Sequence, residues 1–449
     1  MSQSHFNLAY IIRLAVTAAL GGLLFGYDIA VISGTIPFIT DVFSLTEWWK
    51  GFTVSGIYIG CLVGAGFAGR MSDRYGRKKM LIVSAFIFGI SAVGSGLSNT
   101  LASFFIYRLI GGLGVGMAAL LSPMYIAEVT PARIRGRFVA TNQFTIVTGI
   151  LIAYFVNYLL LRTGDQAWRW MLLAEAVPSV FFLLSMFLVP ETPRYLVKTG
   201  DHEKAGRILT RVGGEDFALQ TVKNIRGTLV EKQNGDIRLL FKRSMRLVLI
   251  LGVFLAIFQQ WSGINVIFFY APDIFAKTGV GVESQLFQTV IVGATNVGFT
   301  VLAMWLVERA GRKILLLVSS AGMALSYTLI GILFFTDHLS GYVLLAFALV
   351  AVGSFSIGLG PVVWVMLSEI FPNMIRGQAM SVATMCLWIG TFTLTLTFPA
   401  LIDALGGAIT FWIYGAICVF GFIFMFIILP ETKGKTLEEL EQILVNPER

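Results

Sequence analysis

The sequence predicts an all-α membrane protein of twelve transmembrane helices in two pseudo-symmetric six-helix bundles, and three observations carry that prediction. The 449 residues are 56% hydrophobic and only 13% charged, a balance that an ordinary soluble globule does not show. The apolar residues gather in runs of about 20 or more, the length a helix needs to cross ~30 Å of hydrocarbon. The third observation is a repeat. Asp73-Arg74-Tyr75-Gly76-Arg77-Lys78 is matched by Glu308-Arg309-Ala310-Gly311-Arg312-Lys313 at an offset of 235. Glu128-Val129-Thr130-Pro131 with Arg135-Gly136 returns as Glu369-Ile370-Phe371-Pro372 with Arg376-Gly377 at 241, and Pro190-Glu191-Thr192 as Pro430-Glu431-Thr432 at 240. Three motifs in one order at nearly one spacing mean two homologous halves of six helices.

The runs lie at about 11–39, 51–70, 79–98, 101–127, 138–161, 169–189, 246–271, 284–307, 314–335, 341–367, 379–402 and 408–429. They divide the chain into an N-terminal bundle at 1–190, a cytoplasmic linker at 191–245, a C-terminal bundle at 246–430 and a tail at 431–449. Within the linker, 200–212 and 216–232 read as short amphipathic surface helices, with Ala205, Ile208 and Leu209 at helical spacing among charges. The net charge of +8 would suggest nucleic acid or acidic lipid in a soluble protein, but here its distribution marks sidedness. The loops at 70–79, 128–137, 190–246 and 308–313 and the tail hold nearly all the Lys and Arg, whereas the alternate loops hold Lys50, Arg162, Arg169 and Lys277. Both termini are therefore expected in the cytoplasm, in a multi-pass protein of the plasma (inner) membrane whose partner is the lipid bilayer and not nucleic acid. No short apolar core with a small-residue cleavage site opens the chain, so the first helix is expected to be retained.

Several chemistries find no support. Cys61, Cys386 and Cys418 all fall inside spans and are odd in number, so no disulfide framework and no metal site is expected. No phosphate-cradling loop occurs, and Gly112-Leu113-Gly114-Val115-Gly116 lacks the spacing and strand context of a dinucleotide fingerprint. These glycines read as helix packing. Neither an enzyme nor an ATP-driven pump is expected, and no cofactor.

In the first span, Gly21-Gly22-Leu23-Leu24-Phe25-Gly26-Tyr27-Asp28 sets glycines beside an acid at membrane depth. An isolated carboxylate there costs several kcal/mol, so Asp28 must take a proton or find a cation. The fourth span supplies Arg108, and the sixth a second acid, Glu175, three residues before Pro178. Asp28 and Arg108 form either a fixed structural pair or a titratable one; intramembrane ionisable groups so often mark ion pathways that the second reading is taken. The fifth span opens with Asn142-Gln143. The cytoplasmic acids and arginines, Asp73, Arg74, Arg77, Glu128, Arg135 and Glu191 with Glu308, Arg312, Glu369, Arg376 and Glu431, repeat in sign as well as in place. That favours salt bridges that hold one conformation closed and open in the other.

Phe258-Gln259-Gln260-Trp261-Ser262-Gly263-Ile264-Asn265-Val266-Ile267-Phe268-Phe269-Tyr270 sets three amides in an apolar span. They serve either as glue between helices or as the lining of a wet cavity that binds something rich in hydroxyls. Gln260 and Asn265 are five apart, off one face of a regular helix, so a local unwinding near Ser262-Gly263 is expected to turn both into one site. The cluster, the glycine and the flanking aromatics favour the site. The eighth span adds Asn296, the tenth breaks at Gly358-Leu359-Gly360-Pro361 before Trp364, a natural moving gate, and the eleventh holds Trp388.

Together these motifs resemble the sugar porter branch of the major facilitator superfamily over nearly the whole chain. The resemblance rests on Asp73 to Lys78, Glu128 to Gly136, Pro190-Glu191-Thr192-Pro193-Arg194, Gln259 to Asn265 and Gly360-Pro361-Val362-Val363-Trp364. The fourth span, with Gly111 to Gly116 and Leu121 to Glu128, is especially similar to bacterial D-xylose–proton symporters and glucose transporters. The resemblance implies the major facilitator fold and a secondary active transporter that imports a pentose or hexose with a proton by alternating access. It implies sugar contacts at Gln143, Gln259, Gln260, Asn265, Asn296, Trp364 and Trp388, and proton coupling at Asp28 with Arg108. Carboxamides donate and accept as hydroxyls do, and indole faces cover the apolar C–H patches of a pyranose. The chain departs from the xylose pattern at Ile150, Leu387 and Thr391, where further amides would stand. Hexoses, other pentoses and inositol or another polyol remain open, as does a proton-independent facilitator. A non-transporting sensor would carry a long signalling tail, and only about 20 residues follow the twelfth span. A monomer is expected.

Overall fold

The structure is a computed structural model that describes residues 6–231, 245–371 and 376–433, with the side chains of 228–231, 308, 376 and 377 outside the description. Glu308 and Arg376, both predicted members of the charge network, therefore lie outside the described side chains, as do residues 232–244 of the linker and the tail beyond Lys433. Every regular element among the described residues is helical.

The first half contains α1 (Leu8–Val42), α2 (Glu47–Tyr75), α3 (Arg77–Gly96), α4 (Leu101–Val129), α5 (Arg135–Leu160), α6 (Ala167–Ala174) and α7 (Ala176–Phe187). Thr46 caps α2, and Thr100 with Ser103 forms a capping box on α4, so both helices start where a side chain satisfies their free N–H groups. A short 3₁₀ segment at Leu161–Gln166, broken at Gly164, separates α5 from α6. The sixth crossing is two helices because Pro178 has no N–H for the Ala174 carbonyl, and the chain yields at Glu175. Helix α5 begins at Arg135, so Asn142 and Gln143 stand about two turns inside it and not at its opening.

Three short helices follow between the halves: α8 (Pro193–Lys198), α9 (His202–Gly213) and α10 (Glu215–Glu231). The last two match the expected amphipathic pair, with Ala205, Ile208 and Leu209 buried on α9. The second half contains α11 (Arg246–Trp261), α12 (Ile264–Ala276), α13 (Val282–Ala310), α14 (Arg312–Phe335), α15 (Gly341–Ile357), α16 (Leu359–Ile370) and α17 (Arg376–Ile428). At 53 residues, α17 would run about 80 Å if straight, more than twice the hydrocarbon thickness. It breaks at Gly406, with φ 78° and ψ 163°, into two crossings. Counting α6 with α7, α11 with α12, α15 with α16 and α17 twice, the described residues give the twelve predicted crossings.

Within the first half, α1 packs on α5 and α2 on α4 through glycines. The Ile146 carbonyl of α5 stands where a side chain at Gly26 would go, and Gly112 meets the Ile57 carbonyl and Gly60 in the same way. Apolar lipid gives helices little reason to associate, so close backbone approach supplies the contact energy. The halves meet at the end opposite the basic loops. Gly51 of α2 sits against the Leu396 carbonyl of α17, and the Tyr154 hydroxyl of α5 donates to the Phe268 carbonyl of α12 at 2.6 Å. Lys50 reaches across to Asp273 at 3.4 Å while holding Glu47 at 3.0 Å. Among the described residues this is the ion pair that joins the two halves.

The Lys50 and Asp273 side chains are 12% and 28% exposed, so the pair is worth about 1–2 kcal/mol to the seal. In Lys50→Met, spin labels at Trp48 and Ala404, which line one crevice beside the seam, should show a longer-distance population about tenfold larger. An unchanged distance distribution would mean that the pair adds nothing to closure on this side.

Candidate functional site

Between α11 and α12 the chain passes through Gly263 at φ 87°, a left-handed conformation that side chains resist, with the Tyr414 ring packed where a Cβ would stand. The break redirects Asn265. On an unbroken helix it would point about 140° away from Gln260; here its Nδ2 donates to Gln260 Oε1 at 2.5 Å. Thr391 Oγ1 of α17 lies 2.8 Å from the same oxygen and 2.9 Å from the Leu387 carbonyl, the two acceptors open to its one proton. Gln260 Nε2 donates to Gln259 Oε1 at 3.1 Å, and Gln259 Nε2 donates to the carbonyls of Leu359 and Gly360 at 2.7 and 3.0 Å. Four helices thus share one buried polar cluster, and its amides satisfy one another where water is scarce.

Asn296 of α13 is buried and accepts from the Ser356 hydroxyl at 2.8 Å, just before the break between α15 and α16. That break falls at Gly358, with φ −124° and ψ −82°, as the Gly358 to Pro361 stretch predicts. Trp364 is half-buried, one turn past Gly360 and on its face of α16. Trp388, buried on α17 one turn before Thr391, meets Phe25 of α1 and Tyr58 of α2 with ring centroids 5.8 and 5.9 Å apart. Tyr58 also meets Phe269 of α12 at 6.0 Å. Gln143 is half-buried on α5 and makes no hydrogen bond among the described residues. Sequence reasoning did not single out Tyr58 or assign Thr391 a bond; no spacing rule links residues from different bundles.

Phe25 stands one turn from Asp28. The Asp28 carboxylate accepts from Arg108 Nη1, and its backbone carbonyl accepts from Nη2 at 3.1 Å. Gly111, with no side chain, leaves room for the second carboxylate oxygen beside Ser91. That oxygen, Arg108 Nε and Glu175 Oε1 are buried without partners among the described residues. Glu175 lies within electrostatic reach of both Asp28 and Arg108.

The repeated charges at the basic-loop ends form the same closed circuit in each half. Arg77 holds Glu128 at 3.2 Å and Asp73 at 2.8 Å, and Glu128 accepts from Thr192 at 2.6 Å. In the second half, Arg312 holds Glu369 at 2.9 Å, which accepts from Thr432 at 2.5 Å. Glu191 takes the backbone N–H groups of Arg77 and Lys78, and Glu431 those of Arg312 and Lys313. Gly76 and Gly311 turn at φ 101° and 91°, and each lets a carboxylate lie where its side chain would be. Arg74 lies over the Tyr75 ring, and Arg135 is exposed; neither has an ion pair among the described residues. These described pairs lie within the halves and not between them.

A family model described as sugar (and other) transporter matches residues 14–444. The chain belongs to the sugar transporter family. The transporter is 42% identical to an arabinose-proton symporter of Bacillus subtilis, over 99% of this chain and 97% of that protein. It is 41% identical to a D-xylose-proton symporter of Escherichia coli, over 98% and 97%. A solved partially occluded, inward open structure of the xylose transporter from E. coli superposes with a TM-score of 0.86 at 40% identity, covering 95% of this chain and all of that one. Its inward open structure also gives 0.86, covering 97% and 100%. The major facilitator fold of that transporter is the fold of this chain.

Two outcomes follow for the transporter. Gln260→Ala and Asn265→Ala should each weaken ligand binding by about 1–3 kcal/mol, read by titration calorimetry in detergent, with folding intact. Near-unchanged affinity in both would make the amides interhelical glue. The repeated glutamates should differ. Burial pushes the Glu191 carboxyl up despite its backbone donors, whereas at Glu431 the opposing burial is outweighed by backbone N–H donors, which leave it below its ordinary value. A raised carboxyl loses stability as pH rises through its window; a lowered one contributes above the ordinary glutamate range and loses that contribution as pH falls. At pH 7.5, Glu431→Gln should therefore lower the apparent unfolding temperature more than Glu191→Gln does, and equal losses would contradict this.

Proposed function

We propose that the transporter imports a monosaccharide together with a proton by alternating access, with both termini in the cytoplasm and the protein acting as a monomer in the plasma (inner) membrane. The observation that carries this reading is the buried group of Asp28, Arg108 and Glu175, one helical turn from Phe25, which touches Trp388 beside the amide cluster. Two carboxyls and one guanidinium are electrically neutral when one carboxyl holds a proton, so the group has room for one exchangeable proton. A rocking movement that changes the Asp28 to Arg108 separation changes the affinity for that proton. The sugar contacts are assigned to Gln143, Gln259, Gln260, Asn265, Asn296, Trp364 and Trp388. In the relatives' names the substrates are arabinose and D-xylose, which supports a pentose. Ile150, Leu387 and Thr391 give the site fewer amides, so hexoses and inositol belong in the uptake panel.

A second reading, a facilitator without proton coupling, is favoured by the double grip of Arg108 on Asp28, through side chain and backbone, as in a fixed structural pair. Asp28→Asn separates the two. It imitates the protonated state and should abolish uphill accumulation while sugar binding and sugar-for-sugar exchange persist. Accumulation that survives the substitution would remove Asp28 as carrier and turn attention to Glu175. No proton flux with sugar in the unmutated protein would establish the facilitator.

A further inference from the structure

We propose that the groove between α3, α4 and α7 binds one anionic phospholipid, with an acyl chain along the helices and the phosphate beside Arg169. The groove has a volume of about 790 Å³. Phe86, Ile90, Val93 and Leu97 recur at helical spacing on its α3 wall, and Val180 and Leu183 stand on its α7 wall. Two glycines shape it. At Gly94 the Tyr107 ring of α4 lies where a side chain would be, which closes the floor, whereas a Cβ at Gly89 would meet no atom within 4 Å. From Ala85 to Leu97 the α3 wall runs about 18 Å, against about 15 Å for one leaflet of a ~30 Å hydrocarbon core. The groove is thus long enough to take a chain of one leaflet lengthwise.

One end of the groove is polar. Ser98, Asn99, Thr100 and Ser103 gather where α3 turns into α4, opposite the basic loops, while the deeper Ser179 gives its hydroxyl to the Glu175 carbonyl at 2.8 Å. Behind the polar end stands a cation. Arg169 Nη1 donates to the carbonyls of Gly96 and Ser98 at 3.0 and 2.8 Å, Nη2 to Asn99 Oδ1 at 3.0 Å and Nε to Gln166 Oε1 at 2.7 Å. All four acceptors are neutral, and Arg169 has no ion pair among the described residues, so its charge is left to be met from outside the protein. One Nη2 hydrogen is also unused. An apolar channel that ends in hydroxyls and an amide, with an uncompensated guanidinium at the membrane surface, matches a phospholipid in both polarity and sign. A basic side chain so placed favours an anionic headgroup over a zwitterionic one by about fivefold.

In the test, the full chain in detergent is titrated with phosphatidylglycerol or phosphatidylcholine of identical acyl chains, and bound lipids are counted by native mass spectrometry. The first phosphatidylglycerol should bind about fivefold tighter than the first phosphatidylcholine. Gly89→Leu, whose side chain enters the groove, should weaken both by roughly tenfold or more, as expected when a site is filled. Gly298→Leu, at an equally open glycine on α13, should change neither. Arg169→Gln should erase the preference and leave phosphatidylcholine binding as it was. Should that variant not fold, Asn99→Asp, which sets a carboxylate against Arg169, should erase it in the same way. Equal affinities for the two lipids in the unmutated protein, or a Gly89→Leu variant that binds as well as Gly298→Leu, would overturn the site. So would a spectrum of paired chains that Gly89→Leu alone splits, which would give the groove to a second copy.

Discussion

In the hydrocarbon core of a membrane, a polar group that finds no partner inside the protein is left without one, and this constraint organises the chain from end to end. It explains why the breaks fall where they do. At Gly263, Gly358 and Glu175 the helical ladder opens, and at the first two the freed or redirected groups are met by Gln260, Ser319 and Gln259 from elsewhere. It also explains why Asp28 and Arg108 occur together, since either one alone would be an uncompensated charge at depth. The glycines serve the same end indirectly, bringing α1 to α5 and α2 to α4 closely enough that van der Waals contact holds helices that lipid does not push together.

The duplication is clearest at the ends that carry the basic loops. Arg77, Glu128, Thr192 and Glu191 in one half correspond atom type for atom type to Arg312, Glu369, Thr432 and Glu431 in the other, even to the lysine that reaches a helix-end carbonyl, Lys78 to Phe187 and Lys313 to Phe426. Each circuit ties three helix ends of its own half into one rigid unit. The described circuits close within halves, and the Lys50 to Asp273 pair and the Tyr154 bond join the halves at the opposite end.

Much of this was legible in the sequence because its causes are local. Run length gave the crossings, the repeat gave the halves, and Gly263 between two amides gave the break that turns Asn265 toward Gln260. Long-range geometry was not legible. That Thr391 shares an oxygen with Asn265, that Tyr58 and Phe25 meet Trp388, and that Lys50 finds Asp273 all depend on how crossings far apart in the chain are laid side by side, which no spacing encodes. The repeated charges read as salt bridges without named partners, and the described ones close within each bundle, because a motif states which residues carry charge and not which neighbour they face.

A site whose amides already satisfy one another binds its ligand by exchange of hydrogen bonds and not by simple gain. At the proposed sugar site, a hydroxyl that enters would replace a bond such as Asn265 to Gln260 or Thr391 to Gln260, so the net free energy gained per bond would be small. For a transporter that is an advantage, since a ligand held too tightly in one state would not be released from the next.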